Sequence, residues 1–144
     1  MDKECSISLN DKMQYPKADF TDIIEATDIN KAANENRSDI IYDYAKKLFN
    51  GEEIPINKKE AARYFKIAAD KGHYKSCFYY AQMLQTGDEI PVNKKEAARY
   101  FKMAADKGHP ESTYCYAKIL LNGDGVSADK KQAAQLFKSA ALKG

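Results

Sequence analysis

Two histidines, three cysteines and two pairs of adjacent carboxylates are the side chains of this 144-residue chain best suited to chemistry. His73 and His109 each follow a glycine and stand 36 residues apart. A general base or a metal ligand needs partners at a fixed offset. The polar groups that recur beside both histidines are lysines, so a turn or packing role fits them better. Cys5, Cys77 and Cys115 are odd in number and widely spaced. They lack metal-ligand spacing and point to free thiols in a reducing compartment. Glu52-Glu53 and Asp88-Glu89 fall in predicted loops, where paired carboxylates are ordinarily solvated. Neither a Gly-rich phosphate loop nor a nucleophile motif is present. The expectation is a chain with no catalytic residue, no metal site and no cofactor.

The basic residues need separate weighing. Lys59, Arg63 and Lys66 share one helix face and recur as Lys95, Arg99 and Lys102, and in part as Lys131 and Lys138. Such a stripe suits RNA or an acidic membrane surface. Yet Asp70 and Asp106 follow one turn on, the chain holds three Arg, and its net charge is only +2. A solvated face is the better reading, and nucleic acid is disfavoured as a partner. The charge is uneven: residues 1–36 carry four Lys against eight Asp and Glu, whereas 37–144 carry nineteen Lys and Arg against thirteen acids. The opening MDKECSISLN has no apolar run, and no stretch approaches the roughly 18 apolar residues of a membrane span. The expected location is the cytoplasm, with the nucleus also compatible.

One repeating unit places all of these residues. KKEAARYFKIAADKGH at 58–73 returns as KKEAARYFKMAADKGH at 94–109 with a single change. The same shift of 36 aligns Leu48 with Leu84 and Leu120, Phe65 with Phe101 and Phe137, and Gly72 with Gly108 and Gly144. Each unit reads as two helices. In the first, Ile41, Tyr44, Ala45 and Leu48 share a face, and Gly51, with Gly87 and Gly123 after it, supplies the stop. Glu-Ile-Pro follows in two units, and its proline blocks continuation. The second helix opens on Asn57-Lys58-Lys59-Glu60, which resembles a capping box, as do Asn93 to Glu96 and Asp129 to Gln132. Ala61, Ala62, Phe65, Ala68 and Ala69 form its buried stripe. Cys77, at the Ile41 position, is expected in the core, and Cys115 in a more exposed place.

A 36-residue hairpin cannot bury both faces alone, so the units must stack. The pattern Tyr116-Ala117-x-x-Leu120-x-x-Gly123-Asp124-Gly125-Val126-x-x-Asp129, then Ala133, Phe137, Ala140-Ala141 and Gly144, resembles the Sel1-like repeat, a tetratricopeptide-related family. The period of 36 differs from the tetratricopeptide period of about 34. The resemblance covers 37–144. Its departures are the Gly-x-Gly-Val loop, present in the third unit alone, Tyr64, Tyr100 and Leu136 where the family often has Trp, and Ala45, Ala81 and Ala117 where it usually has Gly. They bear on loop conformation and leave the fold as it is. The resemblance implies an all-α, right-handed α-solenoid of stacked antiparallel helix pairs with three repeats, 37–72, 73–108 and 109–144. Upstream, Ile29, Ala32 and Ala33 keep the register of Phe65, Ala68 and Ala69. Residues 19–36 are therefore expected to form a capping helix, and 1–18 a flexible tail.

In similar repeat families the first helices line a concave surface. Carried over by register, that surface holds Asp39, Tyr42, Lys46 and Phe49, then Lys75, Phe78, Gln82 and Gln85, then Glu111, Tyr114, Lys118 and Leu121. An aromatic recurs at 42, 78 and 114 among polar groups that differ, as capture of a peptide or protein requires. The same aromatics would equally serve packing between helices. The resemblance implies a non-catalytic adaptor or scaffold for a protein or peptide partner, monomeric or weakly self-associating. Two other classes stand beside it: a regulatory or targeting segment of a larger enzyme such as a kinase, and a nucleic-acid or acidic-surface binder through the Lys/Arg stripe.

Overall fold

Helix-stopping glycines and helix-opening asparagines alternate along the chain, and the computed structural model follows them. It describes residues 37–143; the expected tail and capping helix lie outside the described residues. Six helices and no strand occur among them: α1 (Ser38–Asn50), α2 (Lys58–Asp70), α3 (Tyr74–Thr86), α4 (Lys94–Asp106), α5 (Pro110–Asn122) and α6 (Lys130–Lys143). Two helices fall in each 36-residue unit, and each helix packs chiefly on its neighbours in sequence. The result is an all-α solenoid of helical hairpins.

The boundaries follow from local chemistry. α1 ends where Gly51 takes φ 76° and its N–H donates to the Lys47 carbonyl at 2.8 Å. A Cβ there would come within 2.5 Å of the Ile56 side chain, so both the backbone angle and the space call for glycine. Asn57 caps α2 by accepting the Glu60 N–H at 3.1 Å, Asn93 caps α4 in the same way, and Asp129 caps α6. The reciprocal arm expected of a capping box is absent from these contacts. Glu60 and Glu96 turn instead to Arg63 and Arg99, while the Asn57 N–H donates to the Leu48 carbonyl and the Asn93 N–H to that of Leu84. The cap thus ties the start of each second helix to the end of the first. Glu53 and Glu89 adopt φ 69° and 67°, close to the 88° of Gly125 at the same place in the third unit. The loop shape therefore survives without the glycine, at the cost of backbone strain in two units.

Packing then closes one hairpin with the next. Ile41, Ala45, Leu48, Ala61, Ala62, Phe65 and Ala68 form one cluster, completed by Met83 from α3. Cys77, Ala81, Leu84, Ala97, Ala98, Phe101 and Ala104 form the second, completed by Ala69 from α2 and Ile119 from α5. The alanines let helices approach closely, and Phe65 and Phe101, both 0% exposed, fill the space between them. Phe65 stacks on Tyr79 of the following hairpin with ring centres 5.1 Å apart and planes 6° from parallel. Across the same boundary the Tyr100 hydroxyl donates to Asp70 at 2.6 Å.

Two outcomes follow from this packing, both measurable by urea denaturation of the full chain. Phe101→Ala should cost about 3–5 kcal/mol, and Phe137→Ala, at the half-exposed counterpart, clearly less. Glu89→Gly should stabilise by up to about 1 kcal/mol by relieving the left-handed backbone strain. A loss on that change would mean that Glu89 carries no strain to relieve.

Candidate functional site

The first helices, α1, α3 and α5, carry the twelve residues singled out by register, spaced three or four apart so that each set shares a face. Asp39, Lys75, Gln82, Glu111 and Lys118 are exposed, as are Tyr114 at 51% and Leu121 at 41%. Tyr42, Lys46, Phe49, Phe78 and Gln85 are half-buried. The aromatic series is therefore not uniform. Tyr42 lies 4.7 Å from the ring of His73 and 6.0 Å from that of Phe65, and Phe78 lies 5.0 Å from His109. Each is covered by the histidine that opens the next hairpin. Tyr114 has no such cover among the described residues, and its ring neighbour there is Phe137, at 5.5 Å. Tyr42 and Phe78 serve the packing and the surface together, whereas Tyr114 serves the surface.

Tyr79 joins the first two sets, and register could not find it. Its counterparts are Asp43 and Cys115, so nothing at that position repeats. Its ring lies 6.0 Å from Tyr42, 5.9 Å from Phe49 and 5.8 Å from Phe78. Lys46 donates to its hydroxyl at 3.4 Å, with Nζ 5.2 Å from the Tyr79 ring centre and 5.8 Å from that of Tyr42. Burial works against the Lys46 charge, but the Tyr79 hydrogen bond and the nearby phenols outweigh it and hold the pKa above its usual value. Lys118 repeats the pairing at 5.4 Å from the Tyr114 ring. The face thus presents ammonium groups set over aromatic rings.

Both histidines hold the N-cap position of a first helix, and His73 caps it through its side chain. His73 opens α3 by accepting the Ser76 N–H at 3.3 Å through Nδ1, which also lies 2.9 Å from the Ser76 hydroxyl. His109 Nδ1 lies 2.8 Å from the Ser112 hydroxyl. Both serines are completely buried. The signal for this role is the spacing His-x-x-Ser, present in both units. Burial pushes the Cys77 thiol up to about 11 and raises that of Cys115 as well, so neither is a ready nucleophile. Among the described residues no group of three His, Cys, Asp or Glu side chains is placed to hold a metal ion.

The basic stripe on α2 and α4 carries its own counter-ions. Arg63 pairs with Glu60 at 2.7 Å, Lys66 with Asp70 at 2.9 Å, Arg99 with Glu96 at 2.8 Å and Lys102 with Asp106 at 3.1 Å. Such exposed pairs add little stability. They do cancel most of the field that a polyanion would meet.

The sequence matches the Sel1 repeat over residues 41–73, 75–109 and 110–144. The fold is similar to that of a Sel1 repeat protein from Oxalobacter formigenes, with TM-score 0.73 and 22% identity over 83% of this chain and 90% of that one. A protective antigen of uropathogenic Escherichia coli strains, which displays an SLR fold, gives 0.74 and 27% over 81% of this chain. This chain spans only 25% of that antigen. The Helicobacter pylori cysteine rich protein B gives 0.64 and 20% over 81% of this chain and 89% of that one. Comparison with curated protein sequences finds no match.

Burial, the largest cause, lowers the pKa of both histidines below 6.5, opposed by Asp39 and Asp43 at His73 and by Glu111 at His109, and aided at both by Lys75. The unfolded chain then binds more protons below that pH, so stability is full above pH 6.5 and falls as the pH drops through the lowered values. Circular dichroism melts should show Tm falling as the pH is lowered from 6.5 towards about 5, above the range where carboxylates titrate. The double change His73→Asn and His109→Asn, which places a residue able to cap at both positions, should flatten that fall. An equally steep fall in the double variant would clear the histidines.

Proposed function

Because the chain belongs to the Sel1 repeat family, we propose that it is a non-catalytic adaptor or scaffold that takes a peptide or protein segment along the face of α1, α3 and α5. Sel1 repeats are generally protein-interaction modules, which supports the class of function. The observation that supports the place is the cation-over-aromatic series, Lys46 with Tyr42 and Tyr79 and Lys118 with Tyr114. Rigid aromatic anchors with adjacent donors suit a chain that offers both apolar side chains and carbonyls or carboxylates. Tyr114 and Leu121 are the large apolar side chains on this face open to a partner without any change in the fold. The counter-ions along α2 and α4 argue against the outer face. No described helix is long and apolar enough to cross a membrane. A cytoplasmic or nuclear protein, monomeric or weakly self-associating, goes with this reading.

The test is affinity capture by the immobilised full chain, with retained proteins identified by mass spectrometry and then rebound in purified form. Tyr114→Ser combined with Lys118→Glu and Leu121→Ser alters only exposed positions and should leave helicity unchanged. It should weaken specific retention by at least about tenfold, while Lys59→Glu with Lys95→Glu should not. The reverse pattern would move binding to the outer helices.

A further inference from the structure

Among the described residues, every lysine but Lys46 is either paired with a carboxylate or exposed to solvent. Its neighbours show the rule. Lys47 pairs with Glu53 at 2.8 Å, and Lys58, whose Nζ lies 5.1 Å from the Phe49 ring, pairs with Asp88 at 3.4 Å. Lys46 is half-buried, and the partner it has is neutral, the Tyr79 hydroxyl at 3.4 Å. The rings beneath it are held in place. Tyr79 stacks on the fully buried Phe65 with centres 5.1 Å apart, and Tyr42 and Phe49 close round it at 6.0 and 5.9 Å. An ammonium carries three donors. One that is partly out of water is served best by an anion, since a charge-assisted bond is roughly twice as strong as a neutral one.

We propose that Lys46 is the specificity-determining residue of the α1–α3–α5 face and takes the side-chain carboxylate of an Asp or Glu in the bound segment, an apolar neighbour of that acid resting on the rings of Tyr42 and Phe49. The inference depends on the reading of this face as a peptide-binding surface. It uses the junction of α1 and α3, and neither Tyr114 nor α6 has a part in it.

The charge and the geometry choose the ligand. One ammonium matches one unit of negative charge, whereas a phosphate calls for further donors, and the ammonium of Lys58 is already engaged by Asp88. Asp39 and Asp43, on the same helix, add a repulsion that grows with the charge of the ligand. The acid belongs to a side chain because the face continues past Lys46 on both sides, with Tyr42 before it and Phe49 after it, so a segment runs across the site. At the matching places α3 has the neutral Gln82 and α5 has Lys118, which is exposed and keeps its hydration. The acid therefore has one fixed place on the segment, opposite the first two units.

The test is selection from a random peptide library by the immobilised full chain under reducing conditions, with bound peptides sequenced by mass spectrometry. One arm of the library is amidated at its C-terminus and the other is free. The chain should enrich Asp or Glu at one position beside an apolar residue in both arms. Lys46→Met keeps the length and apolar body of the side chain. It should lose the acidic preference, keep the apolar one, and bind a selected acidic peptide about tenfold more weakly at unchanged helicity. Lys46→Glu should turn the preference at that position to Lys or Arg, and Lys59→Glu on α2 should change nothing. An acidic preference that survives Lys46→Met, a selected set without an acid, or enrichment confined to free C-termini would overturn this inference and leave the face as a binding surface. If no sequence is selected at all, the inference and the reading beneath it fall together.

Discussion

The second helix of each hairpin has an apolar face that its own hairpin cannot cover, and the structure is organised around that fact. Phe65 and Phe101 lie at the centre of these faces, each contributing about 1.5–3 kcal/mol by leaving water. Alanines on either side bring the neighbouring backbones close enough for the ring to fill the gap completely. Among the described elements the chief partner is the first helix of the next hairpin, which packs on α2 as α3 and on α4 as α5. Stability is then a chain of nearest-neighbour contacts, and among the described helices α6 packs chiefly on α5.

The same contacts determine which surface groups are free. Tyr42 and Phe78 sit on the face that a ligand would meet, yet the histidines opening the next hairpins rest against them. Tyr114 lacks that neighbour and stands half in water. Binding groups and packing groups are thus one series of residues, divided among the described residues by whether a histidine ring rests on the aromatic. On the outer face the reverse holds: charges that align into a stripe are neutralised within a turn, and the stripe has little reach.

Much of the architecture was legible because it repeats. The period of 36, the glycines that end α1, α3 and α5, the Asn and Asp caps, and the buried run from Ala61 to Ala69 all recur, and recurrence separates signal from accident. What did not recur was hidden. Tyr79 has Asp43 and Cys115 as counterparts, so comparison of the units passes over the residue that joins α1 to α3. The histidines recur at the N-cap positions, but their contacts are with Ser76 and Ser112, whose complete burial cannot be read from a polar side chain. The loop was legible in part. Glu53 and Glu89 stand where the third unit has glycine, and only the backbone angles show that the loop tolerates them. The two arms of the capping box came apart for a similar reason: Arg63 and Arg99 compete for the glutamates at a spacing of three.

If nearest-neighbour sealing governs the molecule, protection from solvent must track the cover on each second helix. Amide hydrogen exchange of the full chain, resolved by mass spectrometry to single helices, reads this directly. The account predicts slow exchange in α2 and α4 and much faster exchange in α6, despite their closely similar sequences. Protection of α6 equal to that of α2 and α4 would contradict it.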